Sequence, residues 1–222
     1  MSEGRRVIDF GLDDDAWAEL RRFAEGDESL SCVASDAMNR SRGMDASIAP
    51  MWSGARCVGR AFTVRPLDGD LGVVFEAIDR AESGDVLVIE GGHGPPAALW
   101  GENTSLSARN RGLAGVVLGA PCRDRSAHPR LGFPVFATGT TPRGALAVGG
   151  GETQVSVTVG GVVVRPGDAV IGDENGVTIV PHARLTEVLA ALPAALQRDR
   201  DTQRALAAGG TIGALRREAR EP

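Results

Sequence analysis

Residues 86–90 (VLVIE) form a continuous apolar run between two helical stretches, and this arrangement limits the possible folds most strongly. Apolar residues recur at helical spacing before the run, which predicts a helix over 71–82. A second helix is predicted over about 98–111, followed by a strand over 113–118. Continuous apolar strands between helices are typical of a sheet covered on both faces, so the sequence predicts an α/β fold.

Shorter elements are predicted on both sides of this segment, and turn residues separate them. Gly160-Gly161 and Asn175-Gly176 are typical of tight hairpin turns between short strands. The length of 222 residues fits a single domain, with or without extensions. The remaining predictions are a helix that ends at Gly26, a helix that Ser31 caps, strands over 58–64, 132–137, 154–159, 162–164, 169–171 and 177–180, a helix over 182–192 and a second helix after Pro193.

The chain contains no lysine, because all 24 of its basic residues are arginine. Schiff-base aldolases, pyridoxal-phosphate enzymes and Walker-A nucleotide-binding proteins each need a lysine, so these classes are excluded. Electrophilic catalysis would have to come from a metal ion, from arginine or from backbone amides. The net charge of −5 does not favour broad binding to nucleic acid.

Three cysteines lie far apart in the chain, at positions 32, 57 and 122. No CxxC spacing occurs, so neither a structural zinc site nor a disulfide framework is expected. The sequence also lacks a run of about 18 apolar residues, the length that a transmembrane helix needs. We therefore expect a soluble cytoplasmic protein without membrane partners.

Glu102 begins the helix that precedes the second buried strand. About nine helical residues carry the chain roughly 14 Å away from Glu102, and Gly112 then reverses its direction. Six strand residues return it by roughly 20 Å. Arg123 and Asp124 are therefore expected beside Glu102, near the C-terminal ends of the strands, where α/β sheets place ligand sites.

These residues have the chemistry of a keto-acid site. The amides of Asn103 and Thr104, in the first turn of the helix, can hold a carboxylate, and Arg123 can bind the same group with two hydrogen bonds. Asp124 and Glu102 offer hard oxygen ligands for Mg²⁺, which would stabilise an enolate. The spacing alone is also compatible with a surface Arg-Asp pair and a favourable charge in the first turn of a helix.

Ten short segments over residues 31–208 carry a resemblance to a known family. They are SDA (35–37), GRAFTV (59–64), GDVLV (84–88), LWGEN (99–103), RGLAGVV (111–117), RD (123–124), GFPVFA (132–137), TPRG (141–144), PGD (166–168) and the glycines around 172–177. Together, in this order, they resemble the family of the regulator of ribonuclease activity A and the metal-dependent 4-hydroxy-4-methyl-2-oxoglutarate aldolases. The resemblance implies one domain over 31–208, with a helical extension over 1–30 and a charged tail over 209–222.

The resemblance also implies a swivelling β/β/α-type sandwich with flanking helices, assembled as a trimer or hexamer with sites at subunit interfaces. Aldolases of the family resemble the pattern of an acid, twenty residues and Arg-Asp, which Glu102, Arg123 and Asp124 meet. By this resemblance Asp124 ligates Mg²⁺ or Mn²⁺, Arg123 contacts the pyruvate part of the substrate and Glu102 holds metal-bound water. The same chemistry implies oxaloacetate decarboxylation as a side activity.

Three features depart from the family pattern. Ala127 stands where aldolases commonly carry a further acid, and His128-Pro129 weakens the helix that is usual there. The loop 91–96 lacks the Ser-Arg that would help to bind a second carboxylate, and His93 in that loop is a candidate substitute. Glu187 and Asp199 are candidates, by position alone, for the acid that a neighbouring subunit contributes in some relatives.

The resulting prediction is a metal-dependent carbon–carbon lyase that cleaves a 4-hydroxy-2-oxo acid to pyruvate. Two alternatives remain open. The first is a non-catalytic binding protein similar to the ribonuclease regulators, which tend to lack the complete set of acid, arginine and aspartate. The second is a diverged metal-dependent lyase or dehydratase of a biosynthetic pathway, which Ala127 and the altered loop favour. His128 and His182 are interpreted as histidines without a role in the chemistry.

Overall fold

The computed structural model describes residues 14–26, 29–92 and 96–218. The helices in these ranges are α1 (Asp14–Gly26), α2 (Leu30–Ala37), α3 (Gly72–Arg80), α4 (Glu102–Asn110), α5 (Ala127–Leu131), α6 (Leu185–Ala207) and α7 (Ile212–Glu218). The strands are β1 (Ala49–Pro50), β2 (Cys57–Pro66), β3 (Asp85–Ile89), β4 (Gly115–Leu118), β5 (Val135–Ala137), β6 (Gly151–Thr153), β7 (Val157–Val159), β8 (Val162–Val164), β9 (Ala169–Asp173) and β10 (Gly176–Val180).

The main sheet has a parallel centre and antiparallel edges. Its strands follow the order β1, β5, β4, β3, β2, β9 and β10, and β6 pairs with the end of β2. The four strands from β2 to β5 are parallel, whereas the others pair antiparallel with their neighbours. Backbone groups of residues 42–44 bond to β10, and residues 49–50 pair with β5. This segment brings the two edges together, so the sheet is a nearly closed barrel.

Both faces of the parallel centre are buried at β3, β4 and β5, because β4 and β5 are apolar throughout and β3 is apolar from Val86 to Ile89. Leu87 and Ile89 of β3 pack into a cluster that includes the apolar side chains of α3. Val86 and Val88 point to the opposite face and pack with the hairpin of β7 and β8. The sheet thus lies between a helical layer and a two-stranded layer, and the predicted fold class, a mixed α/β domain with flanking helices, is confirmed.

A third apolar cluster joins α1, α2 and α6 to the outer strands β9 and β10. The prediction that Ser31 caps α2 was wrong, because Ser29 lies at the N-cap position. Ser31 lies within the first turn, where its amide and its hydroxyl donate to the two carboxylate oxygens of Asp173, both at 2.8 Å. This buried contact fixes α2 against the end of β9.

Two helix boundaries differ from the sequence prediction. The helix expected from about residue 98 begins at Glu102, because Ala98 forms an isolated bridge with Gly144 and Leu99 donates to the carbonyl of Pro121 at 3.1 Å. The two helices expected around Pro193 are one continuous helix, α6. A proline in a helix interior costs about 3 kcal/mol. Buried leucines on both sides of Pro193, including Leu192 and Leu196, hold the helix on the core and offset that cost.

The two predicted hairpins are present. Gly160 and Gly161 join β7 to β8 with φ angles of +52° and +73°, which glycine adopts without a steric penalty. In the hairpin of β9 and β10, Asp173 pairs with Gly176, so the turn consists of Glu174 and Asn175. The Asn-Gly pair marks this turn but lies one residue beyond its centre.

Two of the cysteines are buried thiols inside the fold. Burial raises the pKa of Cys57 to about 12 and that of Cys122 to about 11, so both are protonated at neutral pH. Among the residues that the structure describes, no helix is long and apolar enough to cross a membrane. The cytoplasmic location stays a prediction.

Candidate keto-acid and metal site

The first turn of α4 and the loop after β4 meet, as the lengths of the helix and the strand predict. The amide of Glu102 donates to Oδ2 of Asp124 at 3.0 Å. A second contact joins the same two segments, because the amide of Arg123 donates to the carbonyl of Trp100 at 2.9 Å. Glu102, Arg123 and Asp124 therefore lie side by side at the C-terminal end of β4.

Gly101 allows this close approach because it has no side chain. A Cβ atom at this position would lie 2.7 Å from Oδ2 of Asp124 and 3.0 Å from Cγ of Arg123. Asp124 itself has a φ of +54°, in the left-handed region, which aspartate occupies more readily than most residues. The local backbone is thus shaped to bring the Arg-Asp pair against the helix.

The charged side chains of the site form two ion pairs. Nε of Arg123 lies 3.6 Å from Oδ2 of Asp124, and an Arg130 nitrogen lies 3.0 Å from Oε1 of Glu102. The side chains of Arg123, Asp124 and Glu102 are 48%, 42% and 44% exposed. Ion pairs with this exposure contribute only about 0–1 kcal/mol, so a ligand can displace them at low cost.

The carboxylates fit a small divalent cation. In the described part of the chain, nothing donates to Oδ1 of Asp124 or to Oε2 of Glu102, so one oxygen of each group is available. No cluster of three or more His, Cys, Asp or Glu side chains suited to a metal occurs among the described residues. Mg²⁺ commonly binds through one or two carboxylates and keeps several water molecules, so the two oxygens are ligands of the type that Mg²⁺ or Mn²⁺ takes.

The predicted carboxylate-binding amides lie in the first turn of α4. Amides there have no acceptor within the helix, so those of Asn103 and Thr104 are suited to an anion. The hydroxyl of Thr104 is engaged elsewhere: it accepts from the amide of Gly101 at 2.8 Å and bonds to the carbonyl of Gly101 at 2.9 Å. Thr104 therefore shapes the turn with its buried side chain, and its role as a ligand stays a prediction for its amide alone.

A cavity of about 270 Å³ adjoins the site at the same edge of the sheet. Leu99 and Pro121, which line it, lie two residues before Gly101 and Arg123 respectively. The loops after β3 and β4 cross closely here: a Cβ on Gly91 would lie 2.0 Å from the carbonyl oxygen of Gly119. A larger cavity of about 340 Å³ lies between α1, β2 and β9 and is lined by none of the predicted site residues.

The sequence interpretation missed the burial and the hydrogen bonds of His128. This histidine is fully buried, its Nε2 lies 3.0 Å from the carbonyl oxygen of Arg123, and its Nδ1 lies 3.1 Å from the hydroxyl of Ser105. The same hydroxyl accepts a hydrogen bond from the indole of Trp100 at 2.8 Å. The sequence spacing could have indicated these contacts, because His128 lies four residues after Asp124 and follows a possible helix start.

The family can be assigned from the sequence. A family model described as RraA-like, Aldolase/RraA, matches residues 31–179. The chain belongs to the RraA-like family. A relative from Halalkalibacterium halodurans, named "Putative 4-hydroxy-4-methyl-2-oxoglutarate aldolase", is 35% identical over 159 residues, which cover 72% of this chain and 75% of the relative.

Two solved structures have a similar fold, and one of these two is an RraA protein. The structure of the RNA-processing inhibitor RraA from Thermus thermophilus aligns with a TM-score of 0.61 and 30% identity, covering 66% of this chain and 89% of that one. An uncharacterized protein from Pseudomonas syringae aligns with a TM-score of 0.76 and 25% identity, covering 93% of this chain and 95% of that one.

Other predicted residues of this RraA-like chain lie apart from the site or outside the described ranges. His93 lies outside the described residues. Glu187, at the start of α6, bonds to Arg184 at 2.7 Å, and this contact lowers the pKa of Glu187. Asp199 bonds to Gln203 within α6 at 3.0 Å. A contribution of either acid to a neighbouring subunit stays a prediction.

The position of the missing family acid is buried. Ala127 is 1% exposed, and its amide donates to the carbonyl of Asp124 at 2.8 Å. The expectation that His128-Pro129 weakens the local helix is only partly met, because a helix of five residues, α5, forms there. Pro129 is accommodated because it lies in the first turn, where its missing amide hydrogen costs nothing.

Proposed function

We propose that this chain is a divalent-metal-dependent lyase that cleaves a 4-hydroxy-2-oxo acid to pyruvate and a second carbonyl compound. The observation that carries the proposal is the hydrogen bond between the Glu102 amide and Asp124, which joins two carboxylates and Arg123 at a helix N-terminus. The relative named as an aldolase supports the same reaction class. Because the chain contains no lysine, a Schiff-base mechanism is excluded.

Each residue has a role that follows from its chemistry. Arg123 and the amides of Asn103 and Thr104 bind the carboxylate of the pyruvoyl group, which fixes the substrate's orientation. Asp124 would hold the cation, with Glu102 in support, and the Glu102 carboxylate would orient a water molecule for proton transfer. When bound, Mg²⁺ or Mn²⁺ supplies Lewis acidity that stabilises negative charge on the 2-oxo group. Oxaloacetate decarboxylation needs the same stabilisation and is expected as a side activity.

The charge of the site supports a dicarboxylate substrate even though loop 91–96 lacks an arginine. Arg123 and Arg130 carry two positive charges, and Asp124 and Glu102 carry two negative charges, so the four side chains cancel. A divalent cation then leaves a charge of about +2, which matches a dianion.

One alternative has specific support. The Thermus thermophilus relative is described as an RNA-processing inhibitor, so a ribonuclease-binding role is a second candidate. A diverged lyase or dehydratase remains a variant of the first proposal, because Ala127 replaces the usual acid. We also expect a trimer or hexamer, without membrane or nucleic-acid partners, and light scattering of the purified chain tests the assembly.

Pyruvate release tests the main proposal. The substrates are 4-hydroxy-4-methyl-2-oxoglutarate and oxaloacetate, each with Mg²⁺, with Mn²⁺ and with a chelator. We expect activity only with a metal ion, and a loss of about 100-fold or more in Asp124→Ala, because the variant lacks the cation's main ligand. Asp36→Ala is the matched control, since Asp36 is an exposed aspartate of α2 that pairs with Arg40.

Three outcomes would reject this function. Full activity in chelator would remove the metal from the mechanism, and full activity in Asp124→Ala would remove the site. If both substrates remain intact while the chain captures a purified ribonuclease, the binding-protein alternative replaces the lyase. The Asp36→Ala control shows whether loss of any surface aspartate lowers activity.

A further inference from the structure

Four hydrogen bonds form a closed ring beneath the site. The indole of Trp100 donates to the hydroxyl of Ser105, which lies 3.1 Å from Nδ1 of His128. Nε2 of His128 lies 3.0 Å from the carbonyl oxygen of Arg123. The amide of Arg123 donates to the carbonyl of Trp100 at 2.9 Å and closes the ring. Both backbone polar groups of Arg123 are therefore engaged.

The ring determines which nitrogen of His128 carries the proton. A carbonyl oxygen can only accept, so Nε2 must be protonated and must donate to Arg123. The indole nitrogen of Trp100 can only donate, so the hydroxyl of Ser105 accepts from it, and with a neutral imidazole its own hydrogen points to Nδ1 of His128. Every donor then has one acceptor, and the imidazole is neutral. Burial also lowers the pKa of His128, which agrees with the neutral form.

The ring connects the two segments that carry the candidate chemistry. Trp100 and Ser105 flank Glu102 on the α4 side, whereas Arg123 directly precedes Asp124 on the loop side. His128 and Ser105 are both 0% exposed and Trp100 is 1% exposed, so water does not compete for these bonds. A buried network with all its members satisfied holds its parts in one arrangement.

We propose that His128 is a positioning residue, which through its Nε2 proton holds the Arg123 carbonyl and so keeps Asp124 and the Arg123 side chain against the first turn of α4. The consequence for catalysis rests on the proposed lyase function, but the positioning itself does not. Asp124 has a left-handed backbone and needs its neighbours to maintain that conformation. His128 supplies one of these restraints without touching the substrate or the cation.

Two amide substitutions separate positioning from general stability. In His128→Gln, the amide nitrogen is as many bonds from Cβ as Nε2 of histidine, so it can still donate to Arg123. In His128→Asn, the amide nitrogen corresponds to Nδ1 and can reach only Ser105. The two variants have similar polarity and both lose one contact of the ring, so they form a matched pair.

Three measurements on the full chain test the proposal. The ¹⁵N shifts of the His128 imidazole report the tautomer, the amide proton of Glu102 reports its hydrogen bond to Asp124, and titration with Mn²⁺ alone reports the affinity of the site. We expect Nε2 protonation in the unsubstituted chain. His128→Gln should keep the Glu102 amide signal and bind Mn²⁺ within about threefold, whereas His128→Asn should lose that signal and bind about 10- to 100-fold more weakly.

The outcomes that overturn the proposal are distinct from failure of the lyase function. An Nδ1-protonated or charged His128 in the unsubstituted chain would reject it, and this measurement does not depend on either variant folding. Equal Glu102 amide signals in the two variants would also reject it. If the unsubstituted chain binds no Mn²⁺ and releases no pyruvate, the lyase proposal fails, while the tautomer and the amide signal still decide the role of His128. If the chain is active, positioning is supported when kcat falls in His128→Asn but not in His128→Gln, provided that the two variants have equal thermal stability.

Discussion

Gly101→Ala should lower activity strongly while leaving the fold intact. The backbone of Gly101 is extended, with φ and ψ both −162°, so alanine can adopt it. The added methyl group would lie 2.7 Å from Oδ2 of Asp124, whereas ordinary contact begins near 3.4 Å. The carboxylate must therefore move by about 0.7 Å, and Arg123, whose Nε would lie 3.1 Å from the methyl, must move with it.

The size of the effect follows from this displacement. A shift of about 1 Å in a catalytic group can cost about 100-fold in rate, which corresponds to roughly 2.7 kcal/mol. We expect kcat/KM for pyruvate release to fall by about 30- to 100-fold. Loss of the hydrogen bond from Glu102 to Asp124 costs about 1 kcal/mol of folding free energy, and replacing glycine by alanine returns about 0.4–1 kcal/mol. The free energy of unfolding should therefore change by less than about 1 kcal/mol.

Urea denaturation and the pyruvate assay on the same preparation measure the two effects separately. Gly43→Ala is the matched control, because a Cβ there would meet nothing closer than 3.9 Å and Gly43 lacks a positive φ. The reasoning fails if Gly101→Ala is folded and retains a third or more of the kcat/KM. It also fails if the activity is lost only in proportion to the fraction of unfolded protein.

Two further predictions concern the charges around the site. In Arg130→Gln, Glu102 loses an ion pair that is worth about 0.2–1 kcal/mol. Its carboxylate is then free for the cation, so Mn²⁺ should bind up to about fivefold more tightly in a direct titration. Unchanged affinity would show that Glu102 does not support the cation. Burial lowers the pKa of His128, so below about pH 6.5 the unfolded chain binds a proton that the folded chain does not. The free energy of unfolding should therefore decrease as the pH is lowered, by at most about 1.4 kcal/mol per pH unit. His128→Gln should lack this part of the decrease in urea denaturation at pH 7.5 and 5.5, and equal decreases in both proteins would contradict the assignment.

The central strands and the meeting point of the site could be predicted because they follow from one-dimensional patterns. The apolar run of β3 covers Val86 to Ile89, on both faces of the strand, so both faces had to be buried. The distance along α4 and back along β4 depends only on the rise per residue of a helix and a strand. This calculation places Asp124 beside Glu102 before any contact is known, and the hydrogen bond of 3.0 Å between them agrees.

The peripheral elements could not be predicted as well, because packing decides them. β6 consists of Gly151–Thr153, which is partly exposed and has no apolar pattern, and it forms only because β2 offers an unpaired edge. The helix α6 passes through Pro193 because apolar residues on both sides of the proline are buried against other elements. In both places tertiary contacts outweigh the local preference of the sequence.

The part of the site that escaped prediction is its support, and the reason is physical. Glu102, Arg123 and Asp124 have charged groups whose chemistry is recognisable in isolation, whereas the character of His128 depends on its surroundings. An exposed histidine at that position would be a weak base in solvent. Enclosed with Ser105, it becomes a neutral donor with a fixed tautomer, because the Arg123 carbonyl accepts only a proton from Nε2. A buried polar residue therefore acquires its function from the partners that the fold provides, and these partners are separated from it by 23 residues for Ser105 and by five for Arg123.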